Sequence, residues 1–498
     1  MSSVTPFDST IAIARHAPAR RRRTKIVATL GPATDDEETL VSLFEAGVDV
    51  VRVNFSHGAA EDQSERIQRV RRIASEVGRY VGIIGDLQGP KIRVESFLAG
   101  KTMLTKGAEF TLDTAMDPVG GTDSAVGVAY PDLVRDVIVG DTLLLNDGQI
   151  VLRVEDIAGT RVGCSVVRGG ELGNRKGLNK QGGGLNAAAL TGKDRSDIVV
   201  AARLELDFVA VSFVSSADDV NEARRLLTDA GGEGHLIAKI ERTEAVENID
   251  AIIDASNAIM VARGDLAVEV GYAAMTGLQK GLIRTARLRN KISITATQML
   301  ESMISNAAPT RAEVSDVANA VMDGTDAVML SAETAVGRYP VDAVRTMAQV
   351  CVGAEKHETA RSVEYVRDDD RFVYVDQAIA MACMYTANHL SVRAIIALTE
   401  SGSTALWMSR RRTDIPIYAL TRHEGSRRRV TLYRGVHPVS FDVVKVERDE
   451  IRRTAMNLLC RSGDLAPGDL VLFTYGQQKG IAGATNTMQI LTVPLDRE

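Results

Sequence analysis

The chain has 498 residues, 59 of them basic and 65 acidic for a net charge of -6, with 45% hydrophobic and 4% aromatic side chains. That length exceeds what one hydrophobic core organises, so about three domains are expected, and the charge balance argues against a dedicated nucleic-acid or membrane-surface protein. Four dispersed cysteines (Cys164, Cys351, Cys383, Cys460), none in a CxxC spacing, suit a reducing cytoplasm and exclude a cysteine-built zinc cluster.

In chain order, residues 1–22 read as an N-terminal tail without the apolar core of a secretory signal. The tail runs into the basic stretch Arg20–Arg23, expected to be a solvated flank of the first strand. No stretch approaches ~18 uninterrupted apolar residues, so no membrane-spanning helix is expected. From Lys25 onward, short apolar runs alternate with polar loops and helix-length segments. Candidate strands fall at 25–29, 50–54, 81–86, 208–213, 235–240, 258–262, 292–296 and 327–330. Eight continuous apolar runs of this kind suggest a parallel sheet closed into a barrel.

One gap breaks the rhythm: about 120 residues separate Asp86 from Phe208, many more than a crossover helix needs. The gap holds short β-like runs at 142–145, 150–154 and 161–167, punctuated by Asn146-Asp147-Gly148 and Gly182-Gly183-Gly184. An inserted lid above the C-terminal rim of the barrel is the expectation. After about residue 356 a separate α/β segment begins, with a helix at 376–390 and strands at 394–398, 417–420 and 470–474. The fold class is therefore α/β: a TIM-type (β/α)8 barrel with an inserted all-β lid domain and a C-terminal open α/β domain. The expected boundaries are 23–88 and 190–356 for the two parts of the barrel. A β-barrel lid takes 89–189, and the C-terminal domain takes 357–498.

Barrel chemistry concentrates at the C-terminal ends of the strands, and here those ends are polar almost throughout. They carry Arg52, Asn54 and Ser56, then Asp86, Ser212, Lys239 with Glu241, Gly264 with Asp265, Thr297, and Ser331 with Glu333. Period-two alternation turns Lys239 and Glu241 to one side of their strand, and likewise Arg52, Asn54 and Ser56. A lysine among carboxylates from neighbouring strands could be a structural ion network, but burying one is costly unless a ligand or metal joins it. None of the seven histidines shows HxH or HExxH spacing, so a zinc-type site is not expected. Glu241 and Asp265 suit a hard cation that keeps waters, Mg2+ or Mn2+ in its place. Backbone N–H groups opening helices at Gly264-Asp265 and at Ala332-Glu333-Thr334 can hold an anion, with Arg52, Arg93 and Lys193 as cationic partners for a phosphate chain.

Six motifs occur in order. They are Val53-Asn54-Phe55-Ser56-His57-Gly58, Asp86-Leu87-Gln88-Gly89-Pro90-Lys91-Ile92-Arg93, Ala238-Lys239-Ile240-Glu241, Met260-Val261-Ala262-Arg263-Gly264-Asp265-Leu266, Ala296-Thr297-Gln298-Met299-Leu300-Glu301-Ser302 and Pro309-Thr310-Arg311-Ala312-Glu313. Together with Thr485-Asn486-Thr487, the set resembles pyruvate kinase, of the bacterial, potassium-independent group, from about Arg23 to the C-terminus. The resemblance implies phosphoryl transfer from phosphoenolpyruvate to ADP, giving pyruvate and ATP in the last step of glycolysis.

By the same resemblance, Glu241 and Asp265 are the magnesium ligands and Lys239 stabilises the transferring phosphoryl group. Arg52 bridges both substrates' phosphates, and Thr297 lies near the enolate, where a proton is delivered. The backbone of Gly264 and Asp265 grips the substrate carboxylate, while Arg52, His57, Arg93 and Lys193 contact the nucleotide. The family's monovalent-cation ligands match Asn54, Ser56, Asp86 and the position of Leu87. Lys91 stands where a nearby glutamate occurs in other members, and its ammonium opposes K+ entry by Coulomb repulsion, so K+ is not expected to be required. The segment Thr399-Glu400-Ser401-Gly402-Ser403-Thr404, faced by residues 477–484, reads as a phosphate-cradling effector loop. A phosphorylated allosteric metabolite, a homotetramer and a cytoplasmic location follow from the resemblance; nucleic-acid and membrane partners do not. The competing readings are a metal-dependent lyase or aldolase barrel, and a metabolite sensor that has lost catalysis.

Overall fold

The computed structural model describes residues 21–357 and 372–495. Most of the expected N-terminal tail and the stretch 358–371 of the expected C-terminal domain lie outside them.

All eight apolar runs form strands: Lys25–Thr29, Val50–Asn54, Gly82–Asp86, Phe208–Val211, His235–Ile240, Ala258–Ala262, Ile292–Ala296 and Ala327–Leu330. They pair in parallel with their chain neighbours, and the eighth returns to the first, closing the barrel. The fourth strand ends earlier than its sequence suggests because Phe213 takes a left-handed φ of 54°, which a pleated strand cannot continue.

Alternation along these strands sorts two cores. Ile26, Ala28, Val51, Val53, Ile83, Val209 and Ala238 face outward and pack under the surrounding helices. Val27, Val50, Ile84, Phe208, Ala210, Ile237 and Met260 face inward. The inward core does not stop at the base of the barrel. It runs into Cys383, Ile395, Val430, Leu432 and Tyr433 of the C-terminal segment, which therefore plugs the N-terminal mouth.

Between the third and fourth barrel strands, a six-stranded sheet assembles in the order Leu178–Lys180, Thr142–Leu145, Ile150–Ala158, Arg161–Arg168, Glu109–Asp113, Ala125–Gly127. A two-stranded sheet of Lys101–Leu104 and Gly170–Gly173 joins it around a separate apolar core that includes Phe110, Leu112, Leu143 and Leu152. This is the inserted lid. Its entry and exit meet at one carboxylate. Asp194, fully buried in the first turn of the helix Gly192–Arg203, accepts from Gly89 N at 3.1 Å on one side. Its other oxygen accepts from Thr191 N at 2.8 Å, closing a capping box. Gly89 is required there: its φ is +66°, and a Cβ would stand 2.8 Å from Ser212 and Phe213.

The C-terminal sheet runs in the order Val436–Ser440, Ile417–Thr421, Ala394–Leu398, Leu470–Gly476, Thr485–Thr492, parallel except for the last strand. Two buried ion pairs fasten this domain to the barrel base. Arg410 binds Asp326, both side chains 2% exposed, and Asp326 also accepts from Ser293 N at 2.9 Å. Arg428 Nε donates to Asp207 at 2.8 Å, and Asp207 also accepts from Ile83 N at 2.9 Å.

Within the basic run, whose Arg20 lies outside the described residues, Arg22 and Arg23 are not the solvated flank the composition suggests. Arg22 pairs with Asp49 at 2.8 Å, and Arg23 pairs with Asp414 at 2.8 Å while its backbone N–H donates to Glu355 at 3.0 Å. Tertiary acceptors around the barrel base, invisible to local composition, claim these arginines.

Removing one partner of a buried pair leaves the other charge unpaired, which costs about 3–5 kcal/mol. Arg410→Ala is therefore expected to lower the chemical-denaturation midpoint markedly, and Arg345→Ala, at an exposed pair, to leave it nearly unchanged. Equal midpoints for the two variants would show that Arg410 is not a brace.

Candidate active site

The inward column of each strand changes character as it climbs. Val50 is followed by Arg52 and Asn54, Ile84 by Asp86, Phe208 and Ala210 by Ser212, and Ile237 by Lys239 and Glu241. In register, Asn54 lies opposite Asp86 and Asp86 opposite Ala210, so these polar ends sit at one level. The barrel thus has an apolar floor and a polar mouth.

Asp86 is the hub of that mouth and is 1% exposed. Arg52 Nε donates to Asp86 Oδ2 at 2.5 Å, and Lys239 Nζ lies 3.3 Å from Asp86 Oδ1. Burial alone would push the Asp86 carboxyl up, but the Arg52 and Lys239 charges outweigh it and hold it below the usual carboxylate range. Lys239 Nζ also donates to Ser212 Oγ at 2.7 Å and pairs with Glu241 Oε1 at 2.9 Å. Burial opposes its charge, yet Asp86 and Glu241 push it up to about 12, so Lys239 stays an ammonium.

Glu241 is 2% exposed, and its second oxygen accepts from Phe213 N at 2.7 Å. The left-handed turn at Phe213 is what aims that N–H. Burial raises the Glu241 carboxyl, Lys239 opposes the rise, and Asp265 adds to it by repulsion. Two carboxylates repelling each other at a barrel mouth form an all-oxygen donor set that fits a hard divalent cation, which would relieve the repulsion. Among the described residues no group of three or more His, Cys, Asp or Glu could hold a metal. The pair can thus supply only part of a coordination shell.

Asp265 opens the helix Arg263–Val270, and Lys91 Nζ lies 3.6 Å from its Oδ1. The structure therefore brings Lys91 to the metal-ligand candidate, and among the described contacts none joins it to Asn54, Ser56 or Asp86. Leu87 is buried, and its carbonyl accepts from Ser212 Oγ at 2.7 Å. Asn54 Oδ1 accepts from Ser56 N at 3.0 Å.

Thr297 sits in the loop after the seventh strand with a φ of 68°, followed by Gln298 at 54°. Two such non-glycine residues cost about 1–3 kcal/mol each and need outside support. Arg263 supplies it, donating to Ala296 O at 3.2 Å and Thr297 O at 2.6 Å while pairing with Asp316 at 2.6 Å. Thr297 Oγ1 accepts from Gly264 N at 2.8 Å, so one of the two N–H groups expected for a ligand carboxylate is engaged within the protein. The motif that contains Arg263 does not by itself assign it this role; the signal it offers is an arginine at the point where an apolar strand gives way to a helix.

The expected phosphate-chain residues are more dispersed. Lys193 Nζ donates to Phe55 O at 2.6 Å, two residues before the exposed His57, and pairs with Asp197. Arg93 lies on the lid side, donating to Arg175 O at 3.2 Å. Ser331 N donates to Glu333 at 2.7 Å, and Glu333 accepts from Leu300 N at 3.1 Å, which braces the seventh loop from behind.

In the C-terminal domain, Gly402 N donates to Thr399 Oγ1 at 2.9 Å and Ser403 N to Ser401 Oγ at 3.4 Å. Ser403 Oγ donates to Asp376 at 3.1 Å, and buried Thr404 shares a hydrogen bond with Thr485 at 2.9 Å. Only part of the expected hydroxyl set is left to face a ligand.

A cleft between lid and rim is lined by Pro90, Lys91, Phe213, Arg242, Asp265 and Glu269. Burial pushes Glu269 up to about 7, with Glu244 adding repulsion and Thr243 N opposing it. Its ordinary value is 4.5, so the fold favours the protonated form. Its stabilising contribution is complete below about 4.5 and is lost as pH rises through about 7. The penalty above pH 7 is at most about 3 kcal/mol. Glu269→Gln is expected to raise the denaturation midpoint relative to wild type at pH 8 and to change it little at pH 5. An equal shift at both pH values would remove Glu269 as the titrating group.

Family models for the "Pyruvate kinase, barrel domain" and the "Pyruvate kinase, alpha/beta domain" match residues 21–344 and 377–491. Pyruvate kinase II of Salmonella typhimurium is 52% identical over 478 residues, covering 95% of this chain and 99% of its own length. Pyruvate kinase of Haemophilus influenzae is 50% identical over 94% of this chain and 98% of its own. That of Geobacillus stearothermophilus is 43% identical over 94% of this chain and 80% of its own.

Proposed function

The chain belongs to the pyruvate kinase family, and from that premise we propose that phosphoenolpyruvate and ADP react at the polar mouth of its barrel. The observation that carries this reading is the shared hub: Arg52 and Lys239 both lean on buried Asp86. Two cations are thereby held rigid where transferred charge must be received, and phosphoryl transfer asks mostly for positioning and charge neutralisation.

Arg52 bridges the phosphates of both substrates, and Lys239 stabilises the moving phosphoryl group. The bond from phosphorus to the enol oxygen breaks and a bond to the terminal phosphate oxygen of ADP forms. The enolate left behind takes a proton at its methylene carbon, delivered through water near Thr297 Oγ1. The N–H of Asp265, with Gly264 beside it, grips the substrate carboxylate at the start of its helix. Glu241 and Asp265 hold the divalent cation, Mg2+ with Mn2+ as substitute, which when bound neutralises substrate oxygens. His57, Lys193 and Arg93 serve the nucleotide, Arg93 from the lid side, so lid closure completes the ADP site and excludes water.

Potassium is not required in this reading. Asp86 already meets two cations, Leu87 offers only a carbonyl that is in use, and Asn54 is turned onto its own loop. Lys91 adds a further positive charge at the rim, beside Asp265. The lid occupies 89–189, and the enzyme works as a cytoplasmic homotetramer governed by a phosphorylated metabolite at Thr399–Thr404. Support for that effector site is the cleft lined by Thr399, Glu400, Gly476, Lys479 and Thr485, which faces the turn at Gly402.

ADP-dependent pyruvate release, followed with and without K+, tests the whole reading. Activity in potassium-free buffer within about twofold of that with K+ is expected, since the anionic ligand is already neutralised. A collapse that K+ restores would overturn K+ independence, and absence of ADP-dependent release would overturn the reaction. Lys239→Met is expected to lower kcat at least about a thousandfold while leaving phosphoenolpyruvate binding nearly intact. A variant that keeps a tenth or more of wild-type kcat would remove Lys239 from the catalytic step.

A further inference from the structure

The chain returns from the lid to the barrel through three successive glycines with φ of +83°, +81° and +93° at Gly182, Gly183 and Gly184. Glycine enters such backbone without steric cost, and Gly183 N donates to Lys180 O at 3.1 Å inside the lid. Two barrel residues accept from its neighbours. Gly184 N donates to Glu244 Oε1, and Gly182 N donates to Glu269 O at 3.1 Å. Glu269 Oε2 in turn accepts from Thr243 N at 2.9 Å, and Arg242 Nη1 donates to Ala187 O at 3.2 Å farther along the exit.

The positions of these residues matter. Arg242, Thr243 and Glu244 directly follow Glu241 in the chain, and Glu269 lies on the helix that Asp265 opens. These three ties from the lid exit to the barrel therefore land next to the metal carboxylates, on the segment that follows Glu241 and on the helix that Asp265 opens. Glu244 Oε2 is buried and has no hydrogen-bond donor, and a Cβ on Gly183 would lie 3.1 Å from it. A carboxylate with one satisfied and one unsatisfied oxygen beside a hinge has room to gain a second N–H as the hinge turns.

We propose that Glu244 is a positioning residue for the nucleotide half of the reaction, latching the glycine hinge of the lid to the loop that presents Glu241. Lid closure over ADP and the placement of the metal carboxylates are then one mechanical event. The latch rests on the reading that the lid completes the ADP site.

Steady-state kinetics of the full-length enzyme test it. Glu244→Ala raises KM for ADP about tenfold, the effect of losing one charge-assisted hydrogen bond, with kcat and KM for phosphoenolpyruvate moving less than about threefold. Glu244→Gln keeps one acceptor for Gly184 N and recovers part of the lost ADP affinity. Gly183→Ala, whose Cβ would lie 2.6 Å from Glu244 Oε1, breaks the latch from the lid side and gives the same ADP-selective defect even if Glu244→Ala does not fold. An unchanged KM for ADP in the variants that fold overturns the latch. So does a Gln variant as impaired as Ala, or KM for both substrates rising together. Arg93→Ala and Lys193→Ala separate the two layers. If neither affects ADP, the nucleotide reading falls and the latch with it; if they raise KM for ADP while Glu244→Ala does not, only the latch falls.

Discussion

One buried carboxylate organises the barrel mouth. Asp86 stands inside the barrel with almost no solvent contact, and such a charge persists only when opposite charge lies against it. Arg52 from the preceding strand and Lys239 from two strands onward meet that need. Neither cation has freedom to wander, because each is fixed by an ion pair that the fold cannot give up. The rest of the site hangs from this arrangement: Lys239 holds Ser212 and Glu241, and Glu241 fixes the turn at Phe213. Mutual pairing, working against burial, keeps Asp86 anionic and Lys239 cationic, so the charge pattern needs no ligand to assemble it.

Below this layer the requirement is reversed. The inward residues at the lower ends of the strands are apolar and join the core of the C-terminal domain without a break. Asp207 and Asp326 sit at that junction, accepting backbone N–H groups of neighbouring strands while binding Arg428 and Arg410 from across the boundary. The fourth strand thus spans both worlds. It is preceded by an aspartate tied to the C-terminal domain and followed by Ser212 and Phe213, which touch Lys239 and Glu241. A shift of the C-terminal domain has a path of four residues to the charged mouth.

Much of this was legible in the sequence. Eight apolar runs marked the strands, and period-two alternation correctly turned Arg52 and Lys239 with Glu241 into the barrel, because side-chain direction in a strand depends only on count; Asn54, at the strand's last position, turns instead onto Ser56 of its own loop. What could not be read was whatever depends on contacts between distant segments. Arg22 and Arg23 looked like a solvated flank because their acceptors Asp49, Glu355 and Asp414 are supplied from elsewhere in the chain. Lys91 was expected beside Asn54 and Asp86 from its place in a motif. A lysine stem is long enough to choose among several carboxylates, and it stands by Asp265. Thr297 was placed at the rim by its strand end and given a role by resemblance, but its left-handed backbone and the arginine that braces it follow from loop geometry, which no local pattern encodes.

The Asp194 cap has a consequence for how this chain could have come to be. Because Gly89 and Thr191 are held by the same side chain, the hundred-residue excursion between them starts and finishes at nearly one point in space. To the barrel it is topologically equivalent to a short loop, and the entropy of closing such a loop grows only logarithmically with its length. The lid is in that sense a cassette: it has its own apolar core, its own sheets, and chain crossings that lie side by side. A barrel of this design could gain, lose or exchange such a cassette without rearranging any strand.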